Sequence, residues 1–212
     1  MAPARAATTR RRKDKPVLYL LAGPNGAGKT TLYRALLLTG TLPADAEFVN
    51  ADHHEAQHLQ HIKDPLARSR AAQQWAEARR AELLQSGQSF VSETVFSHPS
   101  KLALISEAQA QGYFVMLLVV ALEDPQQLLE RVAQRVREGG HAVPQERILA
   151  RYPRTLAHLT RAVRLADAAV LYDSQDVTPG THTAVALCKK AWTQELVQPL
   201  PGWAQRVLWG QE

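Results

Sequence analysis

Residues 23–30 constrain the fold more than any other part of the chain, because they read Gly-Pro-Asn-Gly-Ala-Gly-Lys-Thr. This stretch fits the pattern G-x-x-x-x-G-K-[ST]. It lies between an apolar run, Val17–Ala22, and a segment with helical periodicity, Lys29–Leu38. A strand, a glycine-rich turn and a helix in this order let backbone amides and a helix N-terminus converge on phosphate oxygens. The pattern therefore predicts a binding loop for a nucleoside triphosphate.

Two side chains of this loop have specific expected roles. Lys29 is expected to neutralise the β- and γ-phosphates, and Thr30 to ligate Mg²⁺. The predicted nucleotide-binding residues are Gly23, Pro24, Asn25, Gly26, Ala27, Gly28, Lys29, Thr30 and Thr31. The alternative is a glycine-rich turn that binds no phosphate, which the flanking strand and helix disfavour. The loop alone does not determine what happens to the γ-phosphate.

Strand-like and helix-like segments alternate along the rest of the chain, and the apolar runs lack polar alternation, as in a parallel sheet. This order predicts an α/β fold with a mainly parallel five-stranded sheet and helices on both faces. The predicted strands are Val17–Ala22, Phe48–Asn50, Ser89–Val95, Tyr113–Leu122 and Ala168–Tyr172. The predicted helices are Lys29–Leu38, Pro65–Ser86, Pro99–Gln111, Pro125–Glu138, Pro144–Ala166 and Thr183–Leu196, and Pro153 is expected to break or kink the fifth.

The net charge of +5 comes from the first fifteen residues, which hold six basic side chains and one acidic side chain. Such a block is typically solvated. We therefore predict a disordered basic tail over residues 1–15, a phosphate-loop domain over 16–198 and a packed C-terminal extension over 199–212. Nucleic acid is expected to bind through the tail or not at all. The tail lacks the apolar core of a signal peptide.

Cysteine usage and hydropathy bear on the compartment. The single cysteine, Cys188, excludes an intrachain disulfide and suits a reducing environment. The longest apolar run, Phe114–Leu122, is too short to span a bilayer. Together these features predict a cytoplasmic protein that does not enter the membrane.

Polar residues at the ends of two predicted strands are candidates for binding the phosphate acceptor. Asn50 ends the second strand and Asp52 follows it, and Glu93 and Thr94 lie in the third. Ligands of open α/β sheets bind outside the carboxyl ends of the strands. Asp52 is therefore expected to accept a proton from an acceptor hydroxyl, although a helix N-cap is the alternative. Glu93 is expected to hold a Mg²⁺-bound water or the acceptor, with an outward-facing edge residue as its alternative.

An arginine-rich segment follows the fourth predicted strand. The glycine pair Gly139–Gly140 divides it, as a hinge would divide a closing lid. Phosphoryl transfer needs positive charge over the equatorial oxygens, so at least one of these arginines is expected to contact phosphate. A solvated basic face is the alternative for any single one. The arginines are Arg131, Arg135, Arg137, Arg147, Arg151 and Arg154.

Histidines cluster after the second strand. His54, His58 and His61 fall on one helical face, and His53 is adjacent. Spacings of four and three residues can hold zinc. Without companion cysteines, we favour exposed or acceptor-site histidines.

Taken together, these residues resemble the zeta-toxin-like P-loop kinases. The matching pieces are collinear over about residues 17–175. They are GPNGAGKTT from Gly23, FVNAD from Phe48, SFVSETVFS from Ser89, ERVAQRVREGGHAVP from Glu130, and the pair Arg151–Tyr152.

The resemblance implies an adenylate-kinase-like fold that transfers the γ-phosphate of ATP to a small-molecule hydroxyl, with Mg²⁺ as cofactor. The acceptor implied is a sugar or nucleotide sugar such as UDP-N-acetylglucosamine, and a helical antitoxin is the implied partner. Asp52 matches the acceptor-activating aspartate and Glu93 a substrate-site acid. The catalytic residues implied are Asp52, Lys29, Arg135 and Arg137. The acceptor-binding residues are Asn50, Glu93, Thr94, His141 and Arg151.

Three other functions compete with this one. A motor-type ATPase would need an acidic pair after a hydrophobic strand and an LSGGQ-like signature, which Leu84–Gln88 matches poorly. A polynucleotide kinase or nucleic-acid-associated ATPase would use the basic tail as its electrostatic contact. A non-catalytic domain would bind a nucleotide and a protein partner without turnover.

Overall fold

The computed structural model describes residues 15–138, 143–175, 182–190 and 192–210. Within these residues, seven strands form one mixed sheet in the order β2-β3-β1-β4-β5-β6-β7. The strands are β1 Val17–Ala22, β2 Glu47–Val49, β3 Phe90–Thr94, β4 Phe114–Ala121, β5 Ala168–Asp173, β6 Thr183–Lys189 and β7 Trp192–Glu195. The helices are α1 Lys29–Leu38, α2 Ala51–His58, α3 Pro65–Ser86, α4 Ser100–Ala110, α5 Pro125–Arg137, α6 Gln145–Leu165 and α7 Gly202–Trp209.

The first five strands pair with one another in parallel, and β1 lies at the centre of these five, between β3 and β4. Leu18, Leu20 and Leu21 are fully buried, since helices cover both faces of the strand. Because these strands run in the same direction, their carboxyl ends meet at one edge of the sheet, where the loop after β1 begins. The prediction of an α/β fold with a parallel core is correct.

The predicted count of five strands and the predicted helix Thr183–Leu196 are wrong. This segment forms the antiparallel hairpin β6–β7, which pairs with β5 and makes the sheet seven-stranded and mixed. Its alanine and leucine content favours a helix by propensity alone. Pairing with the open edge of β5 overrides that preference and buries Val185, Ala186 and Cys188.

The helix α6 runs from Gln145 to Leu165 with Pro153 inside it, so the expected break does not occur. The side chains of Ile148, Tyr152 and Leu156 are buried on either side of the proline. Burial of one continuous apolar face offsets the backbone hydrogen bond that proline cannot make. The adjoining sequence Gly139–Gly140–His141 lies outside the described residues, and with it the predicted hinge.

The C-terminal segment packs on the domain through α7, which contacts α6. Trp203 is fully buried, and its indole Nε1 donates a hydrogen bond to Asp173 Oδ1 at 2.6 Å. Among the described residues, no helix combines the length and the apolar composition that crossing a bilayer requires.

Candidate active site

The loop after β1 folds back tightly against the sheet. Gly23 has a φ of +152°, and a Cβ atom there would lie 2.0 Å from the carbonyl oxygen of Val120 on β4, so no other residue fits. Gly28 adopts a left-handed conformation at φ +86° and caps α1 without a side chain. No side chain therefore caps the first backbone amides of α1. Such amides can donate to an anion, and the helix dipole also favours negative charge there.

Lys29 is buried at the base of this loop, with 6% of the residue exposed. Its ammonium donates hydrogen bonds to the carbonyl oxygens of Gly23 and Pro24, both at 3.1 Å, and lies 3.7 Å from Glu93 Oε1. Burial lowers the pKa of Lys29, while the negative charges of Glu93 and Asp52 oppose that shift. Asp52 is thus close enough to act electrostatically on the lysine.

Glu93, near the end of β3, links the phosphate loop to the strand beside it. Its Oε2 atom accepts hydrogen bonds from Thr30 Oγ1 at 3.0 Å and from Asn50 Nδ2 at 2.8 Å. The carboxylate therefore faces the phosphate loop and is not an outward-facing edge residue. One charged group joins Lys29, Thr30 and Asn50 before any ligand is present.

Asp52 lies in the first turn of α2, directly after β2. The N-cap of this helix is Asn50, whose Oδ1 accepts a hydrogen bond from the backbone N–H of His53 at 3.0 Å. The alternative in which Asp52 caps the helix is therefore wrong. The exposed residue Asp52 lines the same cavity as Lys29. Burial and neighbouring arginines lower the pKa of Arg151, and the negative charge of Asp52 opposes that shift.

The cavity at this edge of the sheet has a volume of about 1040 Å³. It is lined by Asn25, Gly26, Gly28, Lys29, Thr30 and Thr31 of the phosphate loop and α1. Asn50 and Asp52, which follow β2, and Glu93 and Thr94 of β3 also line it. Of the predicted nucleotide-binding residues, Gly23, Pro24 and Ala27 do not line it, since they hold the shape of the loop.

The arginines of α5 and α6 divide into two groups. Arg131, Arg135, Arg151 and Arg154 line the cavity, whereas Arg137 and Arg147 do not. Arg137 instead donates a hydrogen bond to Gln134 Oε1 on its own helix. His141, also predicted at the acceptor site, lies outside the described residues.

The histidines of α2 contact one another and α3. The ring of His54 stacks on Trp75 at a centroid distance of 3.7 Å and lies 4.7 Å from the ring of His58. Burial lowers the pKa of His54, and the charges of His58 and His53 add to that effect. Among the described residues, no group of three or more histidine, cysteine and acidic side chains could hold a metal ion.

Among the cavity residues that were absent from the sequence-based site are three basic ones, Arg80, Lys101 and His182. Arg80 belongs to the face of α3 that also carries Gln73, Ala76 and Glu77. Their spacing marks one helical face, but nothing in the sequence indicates that this face borders a cavity. His182 is distant from the loop in sequence but lies beside it in the fold, where its Nε2 is 2.9 Å from the position that a Cβ on Gly28 would take.

Solved structures with the same fold come from several systems. A structure from the PezAT chromosomal toxin–antitoxin system of Streptococcus pneumoniae has 16% identity and a TM-score of 0.58, over 94% of this chain and 80% of that one. The AvrRxo1-ORF1:-ORF2 structure with ATP has 18% identity and a TM-score of 0.66, over 86% of this chain and 61% of that one. The Pnkp1/Rnl/Hen1 RNA repair complex has 18% identity and a TM-score of 0.55, over 73% and 49%.

These structural likenesses, all below 20% identity, show the fold and nothing further. No match was found among curated proteins. The sequence profile of the Zeta toxin family, however, matches residues 3–178, which is most of the chain and includes the phosphate loop, Asp52, Glu93 and the cavity-lining arginines. The chain therefore belongs to the zeta toxin family, whose members are P-loop phosphotransferases, and its recognition from sequence motifs is confirmed.

Proposed function

We propose that the protein uses ATP and Mg²⁺ to phosphorylate a hydroxyl of a sugar or nucleotide sugar such as UDP-N-acetylglucosamine. One observation carries this proposal. Asp52 and Lys29 line one cavity, where the carboxylate of Asp52 acts electrostatically on the ammonium of Lys29. A proton acceptor and a phosphate-binding cation in one cavity are the two elements that transfer to a hydroxyl requires.

The phosphate loop fits a triphosphate in its local chemistry. The N-terminus of α1 has no side-chain cap, and the ammonium of Lys29 lies beside it. The Oδ1 atom of Asn25 is buried without a hydrogen-bond partner among the described residues. A buried polar atom of this kind is costly unless a ligand or water satisfies it.

The residues around Thr30 also suit Mg²⁺. The hydroxyl of Thr30 and the carboxylate of Glu93 lie 3.0 Å apart, and hard cations prefer oxygen donors of these two kinds. Magnesium commonly takes one or two protein ligands and completes its shell with phosphates and water. When bound, the ion would neutralise negative charge on the β- and γ-phosphates. Thr30 would hold it, and Glu93 would hold its water.

In the proposed reaction, Asp52 orients the acceptor hydroxyl and takes its proton. The acceptor oxygen forms a bond to the γ-phosphorus as the bond from that phosphorus to the bridging oxygen of ADP breaks. Lys29 stabilises the charge that develops on the phosphates. Arg135 and Arg151, which line the cavity, supply the positive charge expected of the arginine cluster.

The substitution Asp52→Asn tests this assignment, because it keeps the shape of the side chain and removes the proton acceptor. We expect ATP binding to be retained and transfer to fall by about 100- to 10,000-fold. Transfer is measured with γ-labelled ATP, first to UDP-N-acetylglucosamine and then to a metabolite extract, with the product identified by mass spectrometry.

Asp45→Asn is the matched control, since Asp45 is an exposed aspartate in the turn before β2 and does not line the cavity. It is expected to transfer phosphate at the parent rate. Undiminished transfer by Asp52→Asn would show that Asp52 is not the base. Labelled product from the extract alone would reject UDP-N-acetylglucosamine and retain the kinase.

We further propose that the protein acts in the cytoplasm as the toxin of a toxin–antitoxin pair, as the PezAT relationship suggests. Expression of the parent chain without a partner is then expected to arrest bacterial growth. The Asp52→Asn variant, expressed at the same level, should not arrest it. Equal growth with both proteins would exclude a toxic role under these conditions while leaving the kinase activity to the transfer assay.

A further inference from the structure

The cavity is lined by α3 and α4 as well as by the phosphate loop and Asp52, and we call the part lined by these two helices the α3–α4 end. One face of α3 lines this end with Gln73, Ala76, Glu77 and Arg80. Lys101, in the first turn of α4, lies across from it and forms a salt bridge with Glu77 at 3.2 Å. This end has no role in the phosphate chemistry proposed above.

Arg80 is the unusual member of this end. Only 7% of the residue is exposed, and it forms no hydrogen bond or salt bridge with any described residue. The adjacent Arg79, although far more exposed, makes a two-pronged contact with Glu47 and a further one with Glu82. Buried cations in proteins are normally paired in this way, because an unpaired charge away from water is costly.

Glu77, the acid that acts electrostatically on Arg80, is already paired with another cation. Glu77 raises the pKa of Arg80, which burial lowers, but its carboxylate is bonded to Lys101. Two cations therefore share one carboxylate, and one positive charge remains in excess. Because a guanidinium stays protonated in proteins, the excess charge is permanent and borders the cavity.

We propose that Arg80 binds an anionic group, a carboxylate or a phosphate, on the acceptor molecule whose hydroxyl Asp52 activates. This inference rests on the proposed kinase function and adds to it a charge requirement on the acceptor. The fork of a guanidinium matches the geometry of both anions and pairs with them in two-pronged fashion. A neutral acceptor would leave Arg80 buried and unpaired, so neutral sugars are rejected even where their hydroxyls would reach Asp52.

Anion binding by calorimetry tests the proposal without knowledge of the acceptor. The full-length protein is titrated with inorganic phosphate and, separately, with acetate. Both titrations are run with the phosphate loop filled by the β,γ-imido analogue of ATP with Mg²⁺, and again without it. We expect the parent to bind at least one of the two anions with the analogue present. Phosphate alone would indicate a phosphorylated acceptor, and acetate binding a carboxylic acid.

The comparison variants are Arg80→Gln and Arg70→Gln. Arg70 is an exposed arginine on the same helix that does not line the cavity, so both variants change the charge of α3 equally. Arg80→Gln is expected to weaken anion binding at least tenfold, and Arg70→Gln by less than twofold. Equal affinity of the Arg80→Gln variant and the parent, or no anion bound by the filled parent, overturns the proposal.

Failure of the analogue to bind would count against the nucleotide proposal alone. The titration without the analogue then tests Arg80. Phosphate should bind at two sites of the parent, the empty phosphate loop and Arg80, and Arg80→Gln should lose one of them. Arg80→Met separates binding from a structural role. Removing an unpaired buried cation should leave the melting temperature of the ligand-free protein equal or higher, since such residues serve ligands at a cost in stability. A large drop in melting temperature would identify Arg80 as structural and also overturn the proposal.

Discussion

Among the described residues, the carboxylates at the carboxyl ends of the parallel strands differ in what they contact. Glu93 of β3 bonds to Thr30 and Asn50 beside the phosphate loop, and Asp52 after β2 lines the cavity. Two others, Glu123 after β4 and Asp173 at the end of β5, contact α7 instead. Glu123 accepts hydrogen bonds from Arg206 at 2.7 Å and from the backbone N–H of Trp203, and Asp173 accepts one from the indole of Trp203.

The difference shows that position at a strand end does not by itself place a carboxylate in the cavity. Where the sheet edge is open, on the side of β1, β2 and β3, the acids face a cavity. On the side of β4 and β5, the C-terminal helix α7 occupies the same edge and donates hydrogen bonds to the acids. The neighbouring Asp124 is likewise occupied as the N-cap of α5, so the pair Glu123–Asp124 serves structure rather than a motor-type ATPase site.

Removal of the Trp203 side chain, which holds α7 against the sheet edge, should have the largest effect on stability. Trp203→Ala deletes a fully buried indole and its bond to Asp173, so we expect the free energy of unfolding to fall by about 3–5 kcal/mol. Denaturant unfolding measures this directly. Trp209→Ala, on the same helix at an exposed position, should cost about 0.5 kcal/mol or less. Similar losses in the two variants would mean that α7 is not anchored by Trp203.

A glutamate-to-glutamine substitution can be made on both sides of the sheet edge, at Glu93 and at Glu123, and the two variants should differ in phosphoryl transfer. Glu93→Gln removes the charge beside Lys29 and Thr30, and we expect phosphoryl transfer to fall by about 100- to 1000-fold, or about 2.7–4 kcal/mol in the barrier. Glu123→Gln keeps one oxygen that can accept from the backbone N–H of Trp203 and removes the half-exposed ion pair with Arg206, which is worth about 1 kcal/mol or less in stability. Its transfer rate per folded molecule should equal that of the parent.

Transfer assays and thermal unfolding on both variants provide the test. A loss of transfer in Glu123→Gln as large as in Glu93→Gln would remove the distinction between the two sides. Parent-like transfer by Glu93→Gln would show that the charge of Glu93 is not required.

The smallest predicted effect concerns pH. In the proposed reaction, binding of ATP requires the protonated form of Lys29, whose pKa is lowered by burial. The affinity for ATP should therefore be highest below the pKa of Lys29 and should fall as pH rises through it, by about tenfold per pH unit. The decline should begin at lower pH than for an exposed lysine.

Nucleotide titrations over alkaline pH measure the decline, with Lys29→Met as the control that binds weakly and independently of this titration. In Glu93→Gln, loss of the opposing negative charge should move the decline to still lower pH. A decline that begins only at the pKa of an exposed lysine would contradict the role of burial.

The parallel core and the phosphate loop could be predicted because their signals are local. An apolar strand, the glycine pattern and the start of α1 are adjacent in sequence, and α3 begins at Pro65 and ends at Ser86 as its proline and glycine boundaries predict. The hairpin β6–β7 could not be predicted in the same way. Its residues form strands because β5 offers them an unpaired edge, and that edge is a property of the assembled sheet.

The sequence alone determined the phosphate-binding chemistry, the family and the approximate set of acids at the sheet edge, since these depend on short motifs with fixed spacing. Only the tertiary structure decided which acids face the cavity, which arginines join them, and that Arg80 lines the cavity without a hydrogen bond or salt bridge to any described residue. The physical reason is that charge acts through space. The environment of a carboxylate or guanidinium is set by elements distant along the chain, as α7 sets it for Glu123 and α4 for Glu77.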